Sequence, residues 1–233
     1  GEATWDRALL LVLHRHGYPE ETYHTFSYSP LAGDDGTVQG VFCAVSEETE
    51  RVISGRRLES LEALASSITG TQELPDFFQS VGQAAARADR DILFSALYQL
   101  DDAGGATPLH ENLGGVAVDA RSAWRLDTLR ADNTIFAVDI EAAGLPTGAW
   151  SAPARQAAVI ALSQADRERP LGVLVVGLNP FRPFDDDYCS YLKLFAGQIA
   201  ARWTALKEVA ARTEERHRLR AMFKQAPSFM ALL

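Results

Sequence analysis

The densest set of metal-capable oxygens in the sequence is the run Asp185, Asp186 and Asp187. Three carboxylates can ligate a divalent cation, but these also stand where a helix is expected to begin. There they satisfy orphan N–H groups and favour the positive end of the helix dipole, so capping is the better reading. Five histidines (His14, His16, His24, His110 and His217) are the other ligand candidates. None belongs to a helical i, i+4 pair, and no cysteine or carboxylate motif joins them, so they read as surface or internally satisfied side chains. Cys43 and Cys189 lie too far apart for metal spacing or a disulfide framework. Cys189 falls in the first turn of the same expected helix, where a thiolate is favoured. With no nucleophile–base pair and no phosphate-cradling glycine loop, no catalytic residue, metal site or identifiable cofactor is expected.

The composition is that of an ordinary globular protein: 233 residues, 47% hydrophobic and 23% charged. A formal net charge of -9 leaves no basic stripe to neutralise phosphates, which argues against a nucleic-acid partner. The basic run "ERHRLR" at 215–220 follows acidic residues and reads as a solvated helix face. The longest apolar run, residues 8–13, is too short to span a bilayer, and no signal peptide is visible. The sparse cysteines fit a cytosolic protein. The termini suggest a piece of a longer chain.

The elements that must position any site follow from periodicity. "ALLLVLHRHG" (8–17) is too short to separate helix from strand, and Pro19 marks "GYPEET" as a connector. "YHTFSYSPL" and "TVQGVFCAVS", joined by "AGDDG", predict a β-hairpin. From residue 47 the period becomes helical, with Ile53, Arg57, Leu61, Leu64 and Ile68 on one stripe. A second helix opens near Pro75 and carries Phe77, Val81, Ala84 and Ala88 inward. "DILFSALYQLDD" reads as a core strand, "RSAWRLDTLRA" as a short helix and "NTIFAVDI" as a strand. "RQAAVIALSQ" and "PLGVLVVGLN" form a second hairpin. The last helix has no proline from residue 184 to 225 and spans about 55–60 Å if unbroken. Its first half is apolar on one side through Tyr188, Leu192, Phe195 and Ile199. Its second half carries a thinner seam near Leu206, Val209 or Ala210, Thr213 and Leu219.

The order from residue 58 to 211, and above all "RPLGVLVVGLNPFRPFDDDYCSYLKLFAGQIA", resembles a GAF domain. The resemblance implies an α+β fold, an antiparallel sheet with flanking helices and a long exit helix. The opening "YHTFSYSPLAGDDGTVQGVFCAVSEETE" is similar to the final hairpin of a PAS domain, whose last strand leads into a signalling helix. "HRLRAMFKQAPSFMALL" resembles the start of a second PAS domain. That order is the one used by bacterial multi-sensor histidine kinases. It implies a closing PAS segment at 1–46, a linker helix at 47–69, a GAF domain at 70–206, an exit helix at 207–224 and a new PAS domain from 225. The phospho-acceptor motif and ATP-binding boxes of such kinases are missing, so this segment is expected to be catalytically silent.

The resemblance also implies a site. Trp124, Phe136 and Trp150 fall where GAF domains close over a ligand, and His110, on a strand, is a further contact. Either these aromatics line a pocket for an unknown small molecule, or they fill it themselves. The cyclic-nucleotide and bilin-attachment motifs of some GAF families are not present. Ile53, Leu61, Leu64, Ile68, Leu206 and Leu219 are expected to form the seam of a parallel homodimer. The expected function is cytoplasmic sensing and relay to downstream kinase domains. The alternatives are a purely structural dimerisation module, or the sensor of a phosphatase or cyclic-di-nucleotide enzyme. The strand sequence "SFMALL" (228–233) is expected to pair with the open edge of the 38–45 strand.

Overall fold

The computed structural model describes residues 2–101, 105–129, 134–141, 144–163 and 170–225. Three long strands come first: β1 (Thr4–His14), β2 (Pro19–Ala32) and β3 (Val38–Glu47), paired antiparallel in the order β1-β2-β3. The hairpin of the sequence is β2 and β3. The ambiguous run before it is strand, with a bulge between Asp6 and Leu9 where Ala8 takes φ +51° and donates its N–H to Thr25 Oγ1 at 3.1 Å. Pro19 does not interrupt the chain as expected but opens β2, a position where a strand tolerates a residue without N–H. Pro30 is tolerated for a related reason: β1 pairs no further along β2 than Tyr28, so one side of the strand has no ladder to break there.

One residue, Glu48, separates β3 from α1 (Thr49–Thr69), and α2 (Leu74–Arg87) follows. The second sheet is five-stranded and antiparallel. It comprises β4 (Ile92–Leu100), β5 (Ala106–Asn112), β6 (Ile135–Asp139), β7 (Gln156–Leu162) and β8 (Gly172–Leu178), in the order β5-β4-β8-β7-β6. Between β5 and β6 the expected short helix is split into α3 (Ala120–Ala123) and a 3₁₀ turn (Leu126–Thr128) by Arg125, at φ +49°. The chain closes with the 40-residue α4 (Asp186–Gln225).

Each face of the second sheet carries its own core. On one face, α1, α2 and the first half of α4 bury Leu64, Phe77, Val81, Tyr188, Leu192, Phe195 and Ile199 against Leu97, Leu174 and Val176. On the other face, α3 and the 113–126 and 145–154 segments cover Phe94, Ala96, Tyr98, Val159, Val173 and Val175. Helices α1 and α4 run in parallel. Ser60 meets the Tyr191 hydroxyl at 2.8 Å, and further along Arg202 Nε donates to the Ile68 carbonyl at 3.2 Å. Beyond Leu206, which is still buried, α4 leaves the body.

Candidate functional site

The aromatic candidates gather on the face away from the long helices. Trp124 is 2% exposed, Trp150 8%, and Phe136 on β6 packs half-buried against the same core. Trp124 lies against Phe94 with ring centroids 6.1 Å apart, and its Nε1 donates to the Tyr98 hydroxyl at 3.3 Å. The Tyr98 phenol donates in turn to Glu111 Oε1 at 2.7 Å. Burial, then the Glu111 carboxylate, pushes that phenol well above its ordinary range, so it stays a donor. Tyr98 comes from β4 and Glu111 from the outer strand β5, and their register puts both on this face. The result is an aromatic wall ending in an exposed carboxylate, which suits orientation of a ligand rather than covalent chemistry.

His110 does not join them. Its strand partner is Leu97, on the helix face, and its ring lies against Gly82 of α2 so closely that a Cβ there would come within 1.9 Å of Nε2. Burial lowers its pKa, against the smaller opposing effect of Glu111. The expectation that His110 contacts a ligand beside Trp124 is therefore corrected, because strand alternation sends it through the sheet.

The seam residues divide as well. Ile53, Leu64, Ile68 and Leu206 are buried within this chain and Leu61 packs against its core, so they do not present a dimer surface. Only Leu219 of the six is exposed, at 47%, on the free half of α4 with Val209 and Met222. The residues of "SFMALL" lie outside the described residues. Asp185 is a cap: its Oδ1 accepts the Tyr188 N–H at 2.9 Å. Among the described residues no group of three or more potential metal ligands forms. Burial, foremost, raises the Cys189 thiol, so helix placement does not make it an activated thiolate.

A second assembly escaped the sequence reading. Glu21 of β2 is completely buried, and its carboxylate is forked by the Arg56 guanidinium of α1, with Nη2 at 3.1 Å from Oε2. Tyr23 donates its hydroxyl to Oε1 at 2.8 Å, and Asn179 Nδ2 donates to Oε2 at 2.8 Å. Arg56 also holds Asp91, just before β4, with Nε at 2.6 Å and Nη2 at 3.0 Å. Arg57 Nε reaches Asp91 at 3.1 Å, with its guanidinium over the Tyr188 ring at 4.3 Å. Burial disfavours charge on Arg56, yet the hydrogen bonds it donates to Asp91 and Glu21 outweigh it and raise its pKa. One signal was present in the sequence: Arg57 on an otherwise apolar stripe demands a buried carboxylate partner.

No protein-family model matches this chain, and no curated protein does either. Solved structures do. The GAF domain from a phosphoenolpyruvate-protein phosphotransferase of Coxiella burnetii aligns at TM-score 0.51 with 14% identity, covering 68% of this chain and 98% of that one. A bacteriophytochrome from the photosynthetic bacterium R. palustris aligns at TM-score 0.51 with 12% identity, covering 88% of this chain and 49% of that one, so this chain spans about half its length. The GAF domain of the potassium sensor histidine kinase KdpD from Escherichia coli aligns at TM-score 0.44 with 19% identity, covering 69% of this chain and 99% of that one. The fold is GAF-like: an α+β body with an antiparallel sheet and a long C-terminal helix. Among the described residues no helix is long and apolar enough to cross a membrane.

Proposed function

We propose that this chain is a sensory and relay segment of a bacterial, cytoplasmic sensor histidine kinase. Its GAF-like body (70–206) takes a small molecule or partner on the Trp124–Tyr98–Glu111 face. The observation that carries the reading is α4, which is core as far as Leu206 and then exposed from 208 to 222, the helix itself running to Gln225. A helix that leaves its domain by about 28 Å does nothing for the fold and suits transmission. A ligand acts by its differential affinity for two arrangements of that helix, which bias kinase domains further along the protein. The kinase context rests on the resemblance of the sequence.

In the same reading the first sheet is the closing part of a PAS domain. Its outward face carries Leu9, Tyr28, Val41 and Val45 exposed, and β3 has a free edge, both of which need covering. The homodimer is assigned to the exposed half of α4.

Native mass spectrometry of the purified chain tests the ligand. The native mass is expected to exceed the denatured mass by that of one small molecule, and Tyr98→Phe to reduce its occupancy. Equal masses, with no melting shift from a metabolite panel, would leave the second reading, a structural dimerisation module. The near-complete burial of Trp124 and Phe94 favours that alternative, since they already occupy the space between sheet and cover.

A further inference from the structure

Glu21, Arg56, Asp91 and Asn179 come from four places in the chain and meet at one buried point. One branch of this network runs to the first sheet. The Tyr23 hydroxyl receives Arg56 Nη1 at 3.2 Å and Arg90 Nη1 at 3.2 Å while donating to Glu21. The Tyr23 N–H donates to Thr49 Oγ1 at 3.0 Å, and the Glu21 N–H to the Phe181 carbonyl at 3.0 Å.

The other branch runs to the first turn of α4. Asn179, whose side chain holds Glu21, donates its backbone N–H to the Tyr188 hydroxyl at 3.1 Å. That hydroxyl donates to the Asp91 carbonyl in a very short contact. Tyr188 is fully buried, so its ring cannot shift without disturbing the helix that carries it. No residue of the aromatic face is needed to connect the two ends.

We propose that this network couples the position of the first sheet directly to the start of α4, in parallel with any signal from the aromatic face. Glu21 is the positioning residue at its centre. A buried carboxylate in this setting cannot lose one donor cheaply, because each remaining group is left charged or unpaired in a dry environment. The linkage is therefore stiff: displacing β2 by the length of a hydrogen bond obliges Arg56, Asp91 and Asn179 to follow. Thermodynamic coupling is also reciprocal, so loosening the start of α4 must loosen β2 by the same factor. The proposal rests on the relay reading for its purpose but not for its test, which needs no ligand.

Amide hydrogen exchange on the full chain reads both ends at once. Glu21→Gln, which keeps shape and removes charge, is expected to lower protection at least tenfold in β2 and in residues 186–192, with β7 and β8 unchanged. Tyr23→Phe, mild enough to fold, is expected to lower both regions about two- to fivefold. Tyr188→Phe supplies the reverse direction and is expected to deprotect residues 20–24 to the extent that it deprotects its own turn. Loss of protection in β2 with 186–192 unmoved, in either Glu21→Gln or Tyr23→Phe, would overturn the coupling. So would a Tyr188→Phe protein whose β2 exchanges as in the wild type. A positive exchange result beside equal native and denatured masses would retain the coupling and discard the ligand.

Discussion

At the residue scale, burial of a titratable ring couples stability to pH. His110 titrates below its ordinary range because its ring is half-buried against α2. Its folded pKa is depressed, so the unfolded chain takes up the proton first. Its contribution to stability is full above the ordinary value of about 6.5 and is lost as pH falls through the lower folded value. The melting temperature is expected to fall between pH 7 and pH 5, and His110→Gln to flatten that slope; an unaltered slope would place the proton elsewhere. The aromatic trio is singled out by the GAF resemblance alone, and the fold brings all three against one core. That His110 faces away was not legible, since the register of β5 on β4 shifts between Leu97 and Tyr98 and no local pattern announces it. Arg57 falls on the apolar stripe of α1, but its partner Asp91 lies 34 residues away, a distance across which single-sequence periodicity is silent.

At the element scale, the close approach of strands and helix decides what the sheet tolerates. Gly172 opens β8 where the Tyr98 carbonyl and the Trp203 ring of α4 converge, and a Cβ would meet them at 2.3 and 2.6 Å. The first of these is backbone and cannot swing aside. Gly172→Ala is expected to cost about 1–3 kcal/mol, read as a lowered urea midpoint. Cost-free accommodation would mean that β4 and β8 separate more readily than their pairing implies. The helices were the most legible elements, since α1, α2 and α4 show sustained period and burial follows it. β1 was not, because a six-residue apolar run fits either period until a partner strand chooses one.

At the scale of the whole molecule, the proposed interface between copies falls on the free half of α4. Val209 (59% exposed), Leu219 (47%) and Met222 (62%) are its large exposed apolar side chains among the described residues. Leu219 lies about 80° around the helix from Val209 in an unbent α-helix, so together they make a broad stripe rather than a narrow seam. Light scattering on the eluting protein is expected to give a dimer for the wild type and a monomer for Val209→Glu/Leu219→Glu, with helix content unchanged. A monomeric wild type at tens of micromolar would remove the dimer from the proposed function. Four of the six residues expected at this seam, Ile53, Leu61, Leu64 and Ile68, lie on α1, where the fold uses them for its own core instead.

The parallel course of α1 and α4 gives the molecule a polarity: the first sheet docks at one end and the free helix departs from the other. The bearing of the helix end at Gln225 is thus set by the number of turns in between. Each residue added to 207–225 would swing that end by about 100°, whereas seven added residues would return it to within about 20° of its original bearing. The free half of α4 would then work as a dial whose setting is written in its length.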